Sequence, residues 1–163
     1  MMASTQLVRQ GNGARHDLYL LEAATPEEVL PLPGGRFICL VAWDSRTASF
    51  DEISRLVRRL LDAGAVYVCA WGPGCERVHD ICDEEQVGPL GDGEQTAMTT
   101  WHADEPLAEA VWFVLNVAVP EDRWIADCHA TVGISIGSDE WARDIRVAFS
   151  GAAGSLARGI GEE

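Results

Sequence analysis

The chain contains no lysine: all 12 of its basic residues are arginine. A Schiff-base lysine, a P-loop lysine and a lysine general base are therefore excluded. Asparagine is scarce too, at Asn12 and Asn116 alone, while Ala and Gly abound. This is the coding bias of a GC-rich genome, so the arginine usage carries no functional message. Bases of any kind are few against 26 Asp and Glu, giving a formal net charge of −14 and a pI near 4.5. Such a surface repels nucleic acid and anionic lipid, and neither is expected as a partner.

Long apolar runs are missing as well. The longest, Ala110 to Val119, is interrupted by Asn116, and a membrane span needs about 20 residues. Met1 to Gln10 lacks the apolar stretch of a signal peptide. Cysteines (Cys39, Cys69, Cys75, Cys82 and Cys128) come in an odd number, with Cys39 and Cys69 inside apolar runs. They read as reduced thiols rather than a disulfide framework, and a cytoplasmic location is expected.

What is present suits one domain. The chain has 163 residues, of which 47% are hydrophobic and 23% charged, enough for a sizeable core. Residues 1–15 read as a flexible arm, 16–150 as a single domain and 151–163 as a flexible tail. Leu18 to Leu21 is a short strand candidate for an edge, followed by a Pro- and Gly-rich loop from Ala24 to Gly35.

From Phe37 a β/α unit recurs. Phe37 to Trp43 is continuously apolar, as in a strand covered on both faces. Ser49-Phe50-Asp51-Glu52 reads as a capping box, and Phe50, Ile53, Leu56, Val57, Leu60 and Leu61 follow at helical spacing up to Gly64. Ala65 to Trp71 is a second strand, Gly72-Pro73-Gly74 a turn and Cys75 to Gln86 a helix. Ala97 to Trp101 is a weaker third strand, joined through Asp104 as cap and Pro106 as first helical residue to a helix at Leu107 to Val117. Ala130 to Ile136 is the fourth strand, and Ser138-Asp139-Glu140 caps a last helix through Phe149.

Strands alternating with helices predict a three-layer α/β fold with a mostly parallel, Rossmann-like or flavodoxin-like sheet of about four strands. The expected order is 2-1-3-4, with Leu18 to Leu21 at an edge. No cofactor is implied: the dinucleotide-binding glycine fingerprint and the Walker A motif are both absent.

Ligands of open parallel sheets bind beyond the carboxyl ends of the strands. Trp43, Trp71 and Trp101 end successive strands at spacings of 28 and 30 residues, so aligned strands would gather them around one cleft. Indoles there suit stacking on a ligand or plugging into a partner, whereas the bland reading has them roofing the core. Cys75 is the candidate nucleophile, at a helix start where amide dipoles lower a thiol pKa. His102 is its candidate base, with Asp44 or Asp104 to orient the imidazole. Against this, Glu76, Asp80 and Asp83 to Glu85 surround the thiol with negative charge.

Cys75, His79 and Cys82 fall on one helical face and form a weak zinc candidate that lacks a fourth ligand unless His102 supplies it. Asp127-Cys128-His129 falls at the amino end of the sheet and reads as connector chemistry. From Glu76 to Glu105 there are nine acids and one base, a net −8. That segment, with Asp80, Asp83, Glu84 and Glu85 at its centre, is either a solubilising face or a docking surface for a basic protein.

Three readings follow. The first is a non-enzymatic acidic module that docks a basic partner protein, as an immunity or antitoxin-like protein blocking a basic nuclease would. The second is a small-ligand sensor or cysteine-dependent enzyme, with Trp43, Trp71 and Trp101 as pocket and Asp44, Cys75 and His102 as polar groups. The third is a subunit of a homo-oligomer that packs its apolar helix, with Trp112 beside Phe113, between chains.

Overall fold

The computed structural model describes residues 6–12, 16–87 and 97–161. Its strands are β1 (Leu7–Asn12), β2 (Asp17–Ala23), β3 (Arg36–Trp43), β4 (Ala65–Trp71), β5 (Met98–His102) and β6 (Cys128–Ile136). Its helices are α1 (Phe50–Ala63), α2 (Cys75–Val87), α3 (Leu107–Asn116), α4 (Asp122–Ile125) and α5 (Asp139–Gly161). The strands form one sheet in the order β1-β2-β6-β3-β4-β5. All neighbours are parallel except β1, which runs antiparallel to β2. The α/β, mostly parallel architecture expected from the residue pattern is therefore the observed one, with six strands among the described residues rather than about four.

Two helix layers cover the sheet. On one face, Ile53, Leu56, Val57 and Leu60 of α1 and Cys75, Val78, Ile81 and Cys82 of α2 pack on Val41, Val68, Val132 and Ile134. On the other, Leu107, Ala110, Val111 and Val114 of α3 and Ile145 and Phe149 of α5 pack on Leu18, Leu20, Ile38, Leu40 and Cys69. β3 and β4 feed both cores with successive residues on alternate faces, which is why they read as unbroken apolar runs. The α1 capping box forms as the residues suggest. Ser49 Oγ accepts from the Glu52 amide at 3.1 Å, and Glu52 Oε1 accepts from the Ser49 amide at 3.3 Å. Among the described residues no helix is long and apolar enough to cross a membrane.

The strand order corrects the expectation. In these labels, 2-1-3-4 would be β4-β3-β5-β6, yet β6 lies between β2 and β3 and β5 forms an edge. The reason is burial: β6 is buried almost throughout, whereas Met98 to Trp101 of β5 stay half or largely exposed. β2 is likewise interior, since Leu18, Leu20 and Leu21 supply apolar side chains to both faces. Part of the expected arm, Leu7–Asn12, is strand β1 paired to β2, and helix α5 runs on through the expected tail to Gly161. Pro106 is the N-cap of α3, without a side-chain cap. Asp104 instead takes a left-handed backbone, φ 61°, in the preceding turn.

Candidate functional site

Helices leave adjacent strands on opposite faces at β4 and β5: the chain passes from β4 into α2 on one side and from β5 into α3 on the other. Loops that part in this way open a crevice at the carboxyl edge of a sheet. A cleft of about 430 Å³ lies there, walled by Trp71 to Glu76 and His102 to Glu105. Its charged residues are Glu76, Asp104 and Glu105, and among the described residues no arginine lines it.

The Gly-Pro-Gly turn that forms one wall is a packing device. Gly72 has φ 113°, and a Cβ on it would lie 2.5 Å from the Trp43 carbonyl oxygen. That close approach docks the turn on the loop after β3, where the Ser45 amide donates to the Pro73 carbonyl at 3.0 Å. Arg77 tightens the same junction by donating to the carbonyls of Ser45 (2.9 Å) and Ala48 (3.0 Å). The one base of the acidic segment is thus consumed internally.

The tryptophans do not share a rim, which corrects the single-cleft expectation. Trp43 is buried in the core beneath α1 and α2. Trp71 points to the opposite face, donating its indole N–H to the Glu105 carbonyl at 2.8 Å and meeting Trp141 edge-on at 5.0 Å. Trp101 returns to the α2 side, 45% exposed, with its ring 4.5 Å from that of His79. Side chains alternate along strands, and the registers Ala42↔Trp71 and Ala70↔Trp101 place successive tryptophans on alternate faces.

The same alternation separates the expected nucleophile and base. Cys75, the first residue of α2, packs into the core on that face, while the His102 ring lies on the other face, 4.6 Å from Phe113. His102 Nδ1 is 2.6 Å from Glu105 Oε1 and Nε2 is 2.9 Å from Thr100 Oγ1. With a carboxylate as acceptor, the proton of a neutral ring sits on Nδ1, and Nε2 accepts from the threonine hydroxyl. Burial pushes the Cys75 thiol above its ordinary range and nearby Glu76 and Asp104 push the same way; amide donation from His102 and from Cys75 itself offsets only part of this. Asp44 is engaged elsewhere. Its carboxylate accepts from Arg46 Nε (2.9 Å) and Nη2 (2.8 Å), and those bonds hold it below the usual carboxylate range.

The zinc candidate does not assemble. Cys75 and Cys82 are buried in the core, with Cys82 pushed up to about 12 by burial, while His79 turns toward Trp101. Among the described residues no group of three His, Cys, Asp or Glu could hold a metal ion.

The acidic face of α2 is real but smaller than its sequence. Glu76, Asp80 and Glu84 are exposed and Asp83 is half-exposed. Glu85 is withdrawn from it, accepting from the Ser54 hydroxyl and ion-paired to Arg58 at 3.0 Å. Asp92 and Glu94 lie outside the described residues. His79 joins this face to the indole: its Nδ1 is 3.1 Å from Asp80 and its Nε2 3.7 Å from Asp83, directly beneath Trp101. The sequence placed Trp101 at the carboxyl edge and His79, Asp80 and Asp83 on the helix after β4, but missed the contact between Trp101 and His79, which only the pairing of β5 beside β4 creates.

Comparison with known proteins adds the fold and a family. The profile of a family described as "Domain of unknown function (DUF7684)" matches residues 18–152. No curated protein matches the chain. Among solved structures, the chain resembles MurF from Acinetobacter baumannii with a TM-score of 0.50 and 15% identity, over 89% of this chain and 29% of that one. A UDP-N-acetylmuramoyl-L-alanyl-D-glutamate–2,6-diaminopimelate ligase aligns with a TM-score of 0.46 and 11% identity, over 91% of this chain and 32% of the ligase. The chain therefore spans under a third of either ligase, and the likeness to MurF is one of fold alone.

Proposed function

The chain belongs to the DUF7684 family, and from its own surface we propose that it is a non-enzymatic binding module that docks a basic partner protein. The observation that carries this reading is Trp101, 45% exposed on the edge strand and seated on His79 between Asp80 and Asp83. An exposed indole beside carboxylates suits an arginine or lysine side chain, which gains a cation–π contact and an ion pair at once. The acids of the cleft rim, Glu76 and Asp104, extend the same potential, which speeds encounter with a positive surface and disfavours a negative one. The separation of Cys75 from the His102 ring further favours binding over nucleophilic catalysis.

The test is affinity capture at low and high ionic strength with wild type, Trp101→Ala and the Asp80→Asn/Asp83→Asn double variant. A basic protein retained at low salt, released as salt rises and weakened about 30-fold or more by Trp101→Ala fits an interface centred on one aromatic anchor. Retention indifferent to both salt and Trp101 refutes it.

The cleft itself supports a second reading, a small-ligand site between the Gly72 turn and Asp104. Its volume lies in the range of ligand pockets, roughly 300–1,000 Å³. Trp71, His102 and Glu105 of its lining, however, are already bonded among themselves, which leaves only the two carboxylates Glu76 and Asp104 for a ligand. That leaves the outward face of α2 as the better-supported surface.

A further inference from the structure

A second cavity, of about 410 Å³, opens at the opposite, amino end of the sheet. It lies between the starts of β2, β3 and β6 and the Leu32 to Gly35 loop. Apart from Asp17, which pairs with Arg9, its charged and aromatic lining residues are not engaged with one another. Tyr19, Arg36, Asp127 and His129 line it, Tyr19 and Arg36 half-buried and Asp127 and His129 exposed at its mouth, and their side chains make no hydrogen bond or ion pair among the described residues.

Arg36 is the informative one. It is half-buried, yet in a chain of net charge −14 it pairs with no carboxylate among the described residues. Its guanidinium lies over the Trp124 ring instead, 4.0 Å from the centroid. Stacking holds a guanidinium flat and leaves its in-plane N–H donors unused, the geometry that grips a carboxylate in bidentate fashion. A dianion such as phosphate is disfavoured, because Asp17 and Asp127 line the same cavity. Asp17 already pairs with Arg9 at 3.1 Å, whereas Asp127 is free to receive a cation. Leu7, Leu32 and Pro33 complete the wall with apolar surface.

One carboxylate receptor, one cation receptor and an aliphatic wall in a single cavity define a zwitterion with an apolar substituent. We propose that this cavity binds a free α-amino acid with an aliphatic side chain, its carboxylate on Arg36 and its ammonium on Asp127. The site is separate from the α2 face and independent of any partner that face holds.

Calorimetric titration with three matched probes tests it: L-leucine, isocaproate (the carboxylate without the amine) and isoamylamine (the amine without the carboxylate). L-Leucine is expected to bind wild type at least about tenfold more tightly than either half-probe, since each half forfeits one charge-assisted contact. Arg36→Met should lower L-leucine to the level of isoamylamine, and Asp127→Asn to that of isocaproate. Arg36→Lys keeps a cation on the indole while losing the planar fork, so it gives a weakened but folded variant should the Met substitution unfold the chain. Trp101→Ala should leave L-leucine binding unchanged. Equal binding of all three probes, no binding of L-leucine, or L-leucine binding unaffected by Arg36→Lys and Asp127→Asn overturns the proposal.

Discussion

Gly133 stands at the middle of β6, and Gly133→Ala tests the packing that sets the whole strand order. A Cβ at this position would lie 2.5 Å from Ile145 Cγ2 and 3.2 and 3.3 Å from Phe149 Cε2 and Cζ. Neither side chain can swing aside, because both are 0% exposed. Nor can the strand retreat, since it pairs with β2 on one side and β3 on the other. The added methyl must displace α5, an overpacking that costs about 1–3 kcal/mol. For a chain of this length each kcal/mol shifts the melting temperature by about 2–4 °C, so a fall of roughly 2–12 °C is expected. Gly151→Ala in the same helix is the control. Nothing lies within 4 Å of its Cβ position, and replacing a helical glycine gains about 0.5–1 kcal/mol. Ile145→Ala removes the clashing methyl, and alone it costs about 2–5 kcal/mol. In the double variant the alanine at 133 partly fills that space, so its cost should fall short of the sum by at least about 1 kcal/mol. Urea and thermal unfolding followed by circular dichroism measure wild type and all four variants. A Gly133→Ala variant as stable as wild type, or a strictly additive double variant, refutes the packing of α5 on β6.

Ser49→Ala removes the reciprocal cap of α1 and is expected to lower the unfolding free energy by about 0.5–2 kcal/mol in urea titration. Glu85 is held below its ordinary range chiefly by the Ser54 hydroxyl and also by Arg58, against the effect of burial. That stabilisation is therefore present above the ordinary carboxylate pKa and lost as acidification protonates the folded-state group. Glu85→Gln should be less stable than wild type at neutral pH, with the gap closing in acid; a gap that widens in acid contradicts the sign. Burial raises the Cys75 thiol, so iodoacetamide should label it at neutral pH more slowly than free glutathione, read by mass spectrometry; faster labelling would return Cys75 to consideration as a nucleophile.

The residue pattern alone determined the β/α alternation, because hydrophobic period, capping residues and glycine stops are local properties. Phe37 to Trp43, the Ser49 capping box and the α2 start at Cys75 all appear where that pattern places them. The acidic character of α2 was equally legible, since charge on a helix face needs no knowledge of its neighbours. Tertiary structure decided the rest. Strand order depends on which apolar faces find each other, and that choice put β6 at the centre and β5 at an edge. Register then fixed which side of the sheet each residue meets. It split Trp43, Trp71 and Trp101 between two faces and parted Cys75 from the His102 ring. The amino-end cavity is the clearest case: Tyr19, Arg36 and His129 belong to three separate strands, and only the lateral pairing β2-β6-β3 brings them together. A single strand encodes its own alternation but not its neighbour, because the hydrogen bonds that join strands are made by backbone groups common to every residue.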